Sequence, residues 1–115
     1  MEPVEDFNRE VKDALNSVIS GITAPSVVDA LYSHLKEHHG ISPDEAPYHL
    51  STFLLVLEGV FGVHGRRTIE RAIAKELYRK CELRFVESPI LDLSEYIQLA
   101  RKRMELEAME RRKVP

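Results

Sequence analysis

The chain has 115 residues, about one domain's worth, and enough apolar content to build a core without disulfides or structural metal. Its formal net charge of -3 gives no overall pull toward nucleic acid or an anionic membrane surface, and the single cysteine, Cys81, excludes an internal disulfide. The longest apolar run, FLLVL, is far shorter than the roughly 20 residues a spanning helix needs, and the opening MEPVEDFNRE is acidic and polar, unlike a secretory leader. The expectation is a cytoplasmic protein with no membrane partner. Charge is unevenly placed: through Val60 ten acids stand against three bases, and beyond it thirteen bases stand against nine acids. Such asymmetry fits charged, solvated helix faces first; complementarity within one chain or head to tail, or one basic face, is the alternative.

In chain order, the first predicted helix covers residues 3–20. Pro3 suits the first turn, Glu5 and Asp6 favour the positive end of the helix dipole, and Gly21 reads as the C-terminal cap. Val4, Phe7, Val11, Ala14, Leu15, Val18 and Ile22 repeat at three- and four-residue steps and define its inner face. A second helix is predicted over 25–39, with Thr23 as N-cap, Pro25 in the first turn, and Val27, Val28, Leu31, Tyr32 and Leu35 as its stripe. Gly40 stops it. Ser42-Pro43-Asp44-Glu45 has capping-box spacing and predicts a short helical turn that Pro47 ends or redirects.

The third helix, 50–61, is apolar over most of its circumference, through Leu50, Phe53, Leu54, Leu55, Val56, Leu57, Val60 and Phe61. A helix of that kind is expected to be buried on several sides. Gly62-Val63-His64-Gly65 reads as a turn, followed by a fourth helix over 66–80 whose inner face is Ile69, Ala72, Ile73, Leu77 and Cys81. Leu83 and Phe85 alternate with polar neighbours and are expected to be buried from an extended segment. A fifth, long helix starts near Asp92 or Ser94, with Leu93, Tyr96, Ile97, Ala100 and Met104 facing inward. Its stripe thins beyond Arg101, so residues 105–115 read as a projecting or frayed tail. The fold class is all-α: one domain over residues 1–115, a compact bundle of about five helices with a long C-terminal helix.

The pattern also resembles a known family. The residues are Gly40-Ile41-Ser42-Pro43, Pro47, Phe61-Gly62, Gly65, Ile69-Glu70, Leu77-Tyr78, Leu83-Arg84-Phe85 and Tyr96, spread over residues 22–101. This is similar to the archaeal Nitrosopumilus output-domain family of small helical domains whose biochemistry is unknown. The resemblance implies a helical fold and an output or sensory-partner role in prokaryotic signalling. It carries over no catalytic residue.

Three clusters bear on chemistry. His34 and His38 have the i, i+4 spacing that places two imidazoles on one metal, but Leu35 stands where the zincin pattern has an acid, and histidines near a helix C-terminus also serve as dipole partners. His64, Gly65, Arg66 and Arg67 combine a glycine-led helix start with cationic side chains, an arrangement that suits an anion or phosphate. They lack P-loop and dinucleotide-site spacing, and both glycines also read as helix punctuation. Arg71, Lys75, Arg101, Lys102 and Arg103 make a basic surface for nucleic acid, against which interleaved acids would repel phosphate. Glu58 and Glu70 flank the central turn and are expected to pair with Arg66 or Arg67, and Cys81 reads as a small core residue. No cofactor fingerprint and no catalytic triad is legible. The functional expectation is a non-enzymatic interaction or regulatory module that acts through helix faces, with a protein partner or as a homodimer. Nucleic-acid or phosphate binding is the alternative.

Overall fold

The computed structural model describes residues 3–113, with side chains for residues 7–110. Its elements are α1 (Pro3–Ile22), α2 (Pro25–His39), a 3-10 helix (Pro43–Tyr48), α3 (Leu50–Lys80) and α4 (Leu93–Lys113). No strand occurs among the described residues, so the all-α bundle expected from the periodicity is what forms. Val4, assigned to the inner face of the first helix, lies outside the described side chains.

α1 buries Phe7, Val11, Ala14, Leu15 and Ile19, one stripe at helical spacing, chiefly against α3. Polar side chains on its flank tie it to its neighbours. Asn8 donates to the Tyr48 hydroxyl at 3.0 Å, Lys12 pairs with Asp44, and Asn16 accepts from the Tyr32 hydroxyl. The helix runs through Gly21, which is therefore not its cap, and Ile22 at its end is 50% exposed rather than in the core.

α2 begins after Ala24, not Thr23. The Ala24 carbonyl accepts from the Val27 and Val28 N–H groups at 3.0 and 3.1 Å, and Pro25 has no N–H to satisfy, so the helix starts without a side-chain cap. It ends as expected at Gly40, whose φ of 66° is left-handed; the Gly40 N–H bonds to Lys36 O and the N–H of buried Ile41 to Leu35 O. In the 3-10 helix the Glu45 carboxylate accepts from Ser42 N–H at 3.2 Å and Ser42 Oγ at 2.7 Å. Those two bonds hold the Glu45 carboxyl below its ordinary range. Pro47 does not end this turn but sits inside it, where the tighter winding lasts to Tyr48 and α3 follows from His49.

α3 is one element in two arms. Residues 50–61 and 63–80 are helical, and Gly62 between them has φ 80° and ψ 173°, a conformation essentially restricted to glycine. The expected four-residue turn is thus compressed to one residue. Gly65, expected to lead the next helix, lies inside it. A Cβ at Gly65 would come within 2.8 Å of Phe61 Cβ, so close approach across the bend, not a turn, requires glycine there. The second arm buries Ile69, Glu70, Ile73, Ala74, Leu77 and Tyr78.

α3 also ends through a left-handed residue, but its capping bonds reach back three and five residues where those of α2 reach back four and six. Glu82 has φ 56°; its N–H bonds to Arg79 O and the Leu83 N–H to Tyr78 O at 2.8 Å. A side chain in this region costs about 1 kcal/mol relative to glycine. Burial of Leu83 beyond the cap offsets it.

α4 has a reciprocal cap that the Asp92-Leu93-Ser94-Glu95 spacing encodes. Glu95 N–H bonds to Asp92 Oδ1 at 2.8 Å, and Asp92 N–H to Glu95 Oε1 at 3.2 Å. Leu93, Tyr96, Ile97 and Ala100 are buried and Met104 partly so, while residues 105–110 are exposed. The helix therefore projects beyond its last core contact, and the structure extends over 52 × 31 × 21 Å.

Candidate functional site

The anion-binding cluster expected at the Gly62 bend is engaged internally. Arg66 reaches Glu58 at 3.5 Å and Glu70 at 3.2 Å. Glu70 is 8% exposed, and its second oxygen accepts the Leu93 N–H at 3.0 Å. Glu70 thus ties the second arm of α3 to the start of α4, and Arg66 ties that carboxylate to Glu58 on the first arm, so an incoming anion would have to displace carboxylates from Arg66. The pairing of both acids with an arginine is the structural arrangement expected from the spacing. His64 and Arg67 are exposed, and the His64 carbonyl accepts from the Thr68 hydroxyl at 3.1 Å.

The basic surface is also divided. Arg71 pairs with Glu87 at 3.0 Å, and Arg103 donates to the Arg84 carbonyl at 2.9 Å. Arg101 is half-buried, with its guanidinium carbon 5.0 Å from the centre of the Phe7 ring and Nη2 3.2 Å from Asn8 Oδ1. It holds α4 to α1 by a cation–π contact and does not face solvent as a phosphate ligand would. Lys75 and Lys102 are exposed. Cys81 is half-buried, and burial, then the Glu10 carboxylate, pushes its thiol up to about 11, opposite to the activation that Lys80 or Arg79 would give an exposed thiol.

His34 and His38 do meet: their ring centres are 4.3 Å apart, and His39 stands edge-on to His34 at 5.8 Å. Among the described residues no group of three or more potential ligands has the geometry to hold a metal ion. The pair is therefore short of the three protein ligands that a metal site with an open position uses.

What the structure brings together instead is an apolar groove. α2 contributes Ser26, Val27, Ala30, Leu31, His34 and His39, and the first arm of α3 contributes Leu55, Val56, Gly59 and Val60, around about 590 Å³ of open space. Leu55 is 62% exposed and Val60 52%. The prediction that residues 50–61 are covered on nearly every side fails here. α1 and α2 pack against α3, and Phe53, Leu54 and Leu57 are buried, but among the described residues no element covers the side that carries Leu55 and Val60. Gly59 and Ala30 keep the floor low, since neither carries a side chain beyond Cβ. The sequence signal was present in the excess of apolar residues over what one core face uses. A wide apolar arc reads the same whether its outer part meets the protein's own core or a partner.

Comparison with known proteins finds no protein family, no curated protein and no solved structure that matches the chain. Among the described residues no helix is long and apolar enough to cross a membrane.

Proposed function

We propose that this protein is a non-enzymatic interaction module of the regulatory kind, and that it recognises an apolar helix face of a protein partner through the α2–α3 groove. The observation that carries this reading is the exposure of Leu55 and Val60 beside a formed, largely apolar depression between two rigid helices. Apolar surface that a fold leaves open and shapes into a concave site is the usual form of a helix-docking groove. Side chains at i, i+3 or i+4, and i+7 of an incoming helix suit its walls. The proposed setting is the cytoplasm, in keeping with one unpaired, half-buried cysteine. An output role in prokaryotic signalling is part of the proposal and draws its support from the residue pattern at 22–101.

The reading is tested with a fluorescent apolar reporter such as anilinonaphthalene sulfonate. Dilute folded protein should bind it saturably, and Val60→Glu should abolish that binding while leaving helicity and melting behaviour unchanged. Absence of binding to the folded monomer, or undiminished binding by Val60→Glu, would count against the groove as the working surface.

A further inference from the structure

Among the described residues a second apolar surface is left exposed. On the outer side of α4, Leu99 beside the core and Leu106 and Met109 on the projecting part are 43%, 50% and 51% exposed. At 100° per residue these three lie about 150° around the helix from the buried face of Leu93, Tyr96, Ile97 and Ala100. α4 is therefore apolar on two opposite sides, one used within the chain and one not.

We propose that the occupant of the α2–α3 groove is the outer α4 stripe of a second copy of this chain, in a two-fold symmetric dimer where each copy gives a stripe and receives one. This deepens the interaction reading above and rests on it. Three observations support the choice. The sizes agree: Leu99 to Met109 rises about 15 Å along α4, and Ser26 to His34 rises about 12 Å along α2. The local charges agree in sign: residues 26–39 and 55–60 carry Asp29, Glu37 and Glu58 against Lys36, and residues 99–109 carry Arg101, Lys102 and Arg103 against Glu105 and Glu107. Lys102 lies on the same side of α4 as the stripe, and Glu37, one turn beyond His34, stands on the groove side of α2; both are exposed. Finally, one helix end in a groove of this size is a small contact. Two-fold symmetry makes it twice, toward the roughly 1,000 Å² that a specific interface needs.

The test measures the mass of the full chain by sedimentation equilibrium over a wide concentration range. The wild-type chain should be a dimer. Leu106→Glu combined with Met109→Glu, which removes the stripe, and Val60→Glu, which spoils the groove, should each be monomeric with unchanged circular dichroism. An equimolar mixture of the two monomers is the decisive sample, because one intact stripe then meets one intact groove. It should form a mixed dimer at least tenfold weaker than the wild type. Leu55→Gln, a milder change on the same wall, replaces Val60→Glu if the latter loses helicity. A monomeric wild type, a stripe variant that stays dimeric, or a mixture that stays monomeric would each overturn the proposal. Binding of the apolar dye to the monomeric stripe variant separates the two ideas. If the dye binds while self-association is absent, the groove remains an interaction site for another protein; if it does not bind, the interaction reading falls as well.

Discussion

The two arms of α3 deal with their surroundings in opposite ways. Around residues 63–80, polar groups that leave the surface find partners inside the protein. Arg66 meets Glu58 and Glu70, Glu70 meets the first N–H of α4, and the Tyr78 hydroxyl donates to the Tyr96 carbonyl at 2.8 Å. The Tyr96 hydroxyl in turn donates to Ser88 O and accepts from Ser88 N–H, with Phe85 packed 5.3 and 5.2 Å from the two tyrosine rings. Around residues 50–61 the outer face is apolar and open. The sealed arm has surface chemistry spent on its own stability, since an orphaned buried donor or acceptor costs about 1–3 kcal/mol. At the open arm, substitution should change what binds and leave the fold almost untouched.

Breaking the sealed arm should have the largest effect. Glu70→Ala leaves the partly buried Arg66 guanidinium with only its longer Glu58 contact and takes the acceptor from the Leu93 N–H, and should lower unfolding stability in urea by about 3 kcal/mol. Gly62→Ala comes next, at about 2 kcal/mol; a Cβ there meets nothing within 4 Å, so the whole cost is backbone conformation. Cys81 sets a pH dependence on the sealed side. Its thiol titrates at about 11 in the folded protein against an ordinary 9.0, so the folded state holds its proton longer. Stability from this group is fully present below pH 9.0 and lost as pH rises through about 11. In a dry site that displacement amounts to about 2.7 kcal/mol, and screening at a half-exposed thiol leaves about 1 kcal/mol. Cys81→Ala should flatten this slope in denaturation curves measured between pH 8 and about 11.

Glu82→Gly should have the opposite sign, stabilising by about 1 kcal/mol in the same assay, because the left-handed cap then carries no side-chain penalty. The smallest effect sharpens the contrast most: Leu55→Gln on the open arm should change stability by no more than about 0.5 kcal/mol. A loss as large as that of Glu70→Ala would mean that Leu55 is needed for folding.

Most helix positions were legible because burial on one face repeats at helical spacing. Phe7, Val11, Leu15, Leu31, Leu35, Ile69, Ile73, Leu77, Tyr96 and Ala100 are buried as that rule requires. Gly40 and the Ser42–Glu45 box were legible because their chemistry is local. The Asp92–Glu95 cap is equally local and could have been read from its spacing. The Glu70–Leu93 bond spans 23 residues and joins a side chain to a backbone group, so no local pattern announces it. The groove escaped for another reason. Leu55 and Val60 are apolar like their buried neighbours, and hydrophobicity alone does not state which sides of a helix the rest of the chain is long enough to reach.

The backbone break at Gly62 has a consequence for phase. Continued as an ideal straight helix, residues 50–80 would place the buried set of the first arm, Leu50, Phe53, Leu54, Val56 and Leu57, about 140° around the axis from that of the second arm. Two such stripes could not face one core. A single residue outside helical geometry resets the rotation and lets both arms turn inward. It follows that the spacing across Gly62 is under stricter control than its chemistry. One residue added or removed beside it would swing the second arm by about 100°. Ile69, Ile73 and Leu77 would leave the core, and Glu70 would lose the start of α4. A one-residue insertion next to Gly62 should therefore be far more damaging than any substitution there.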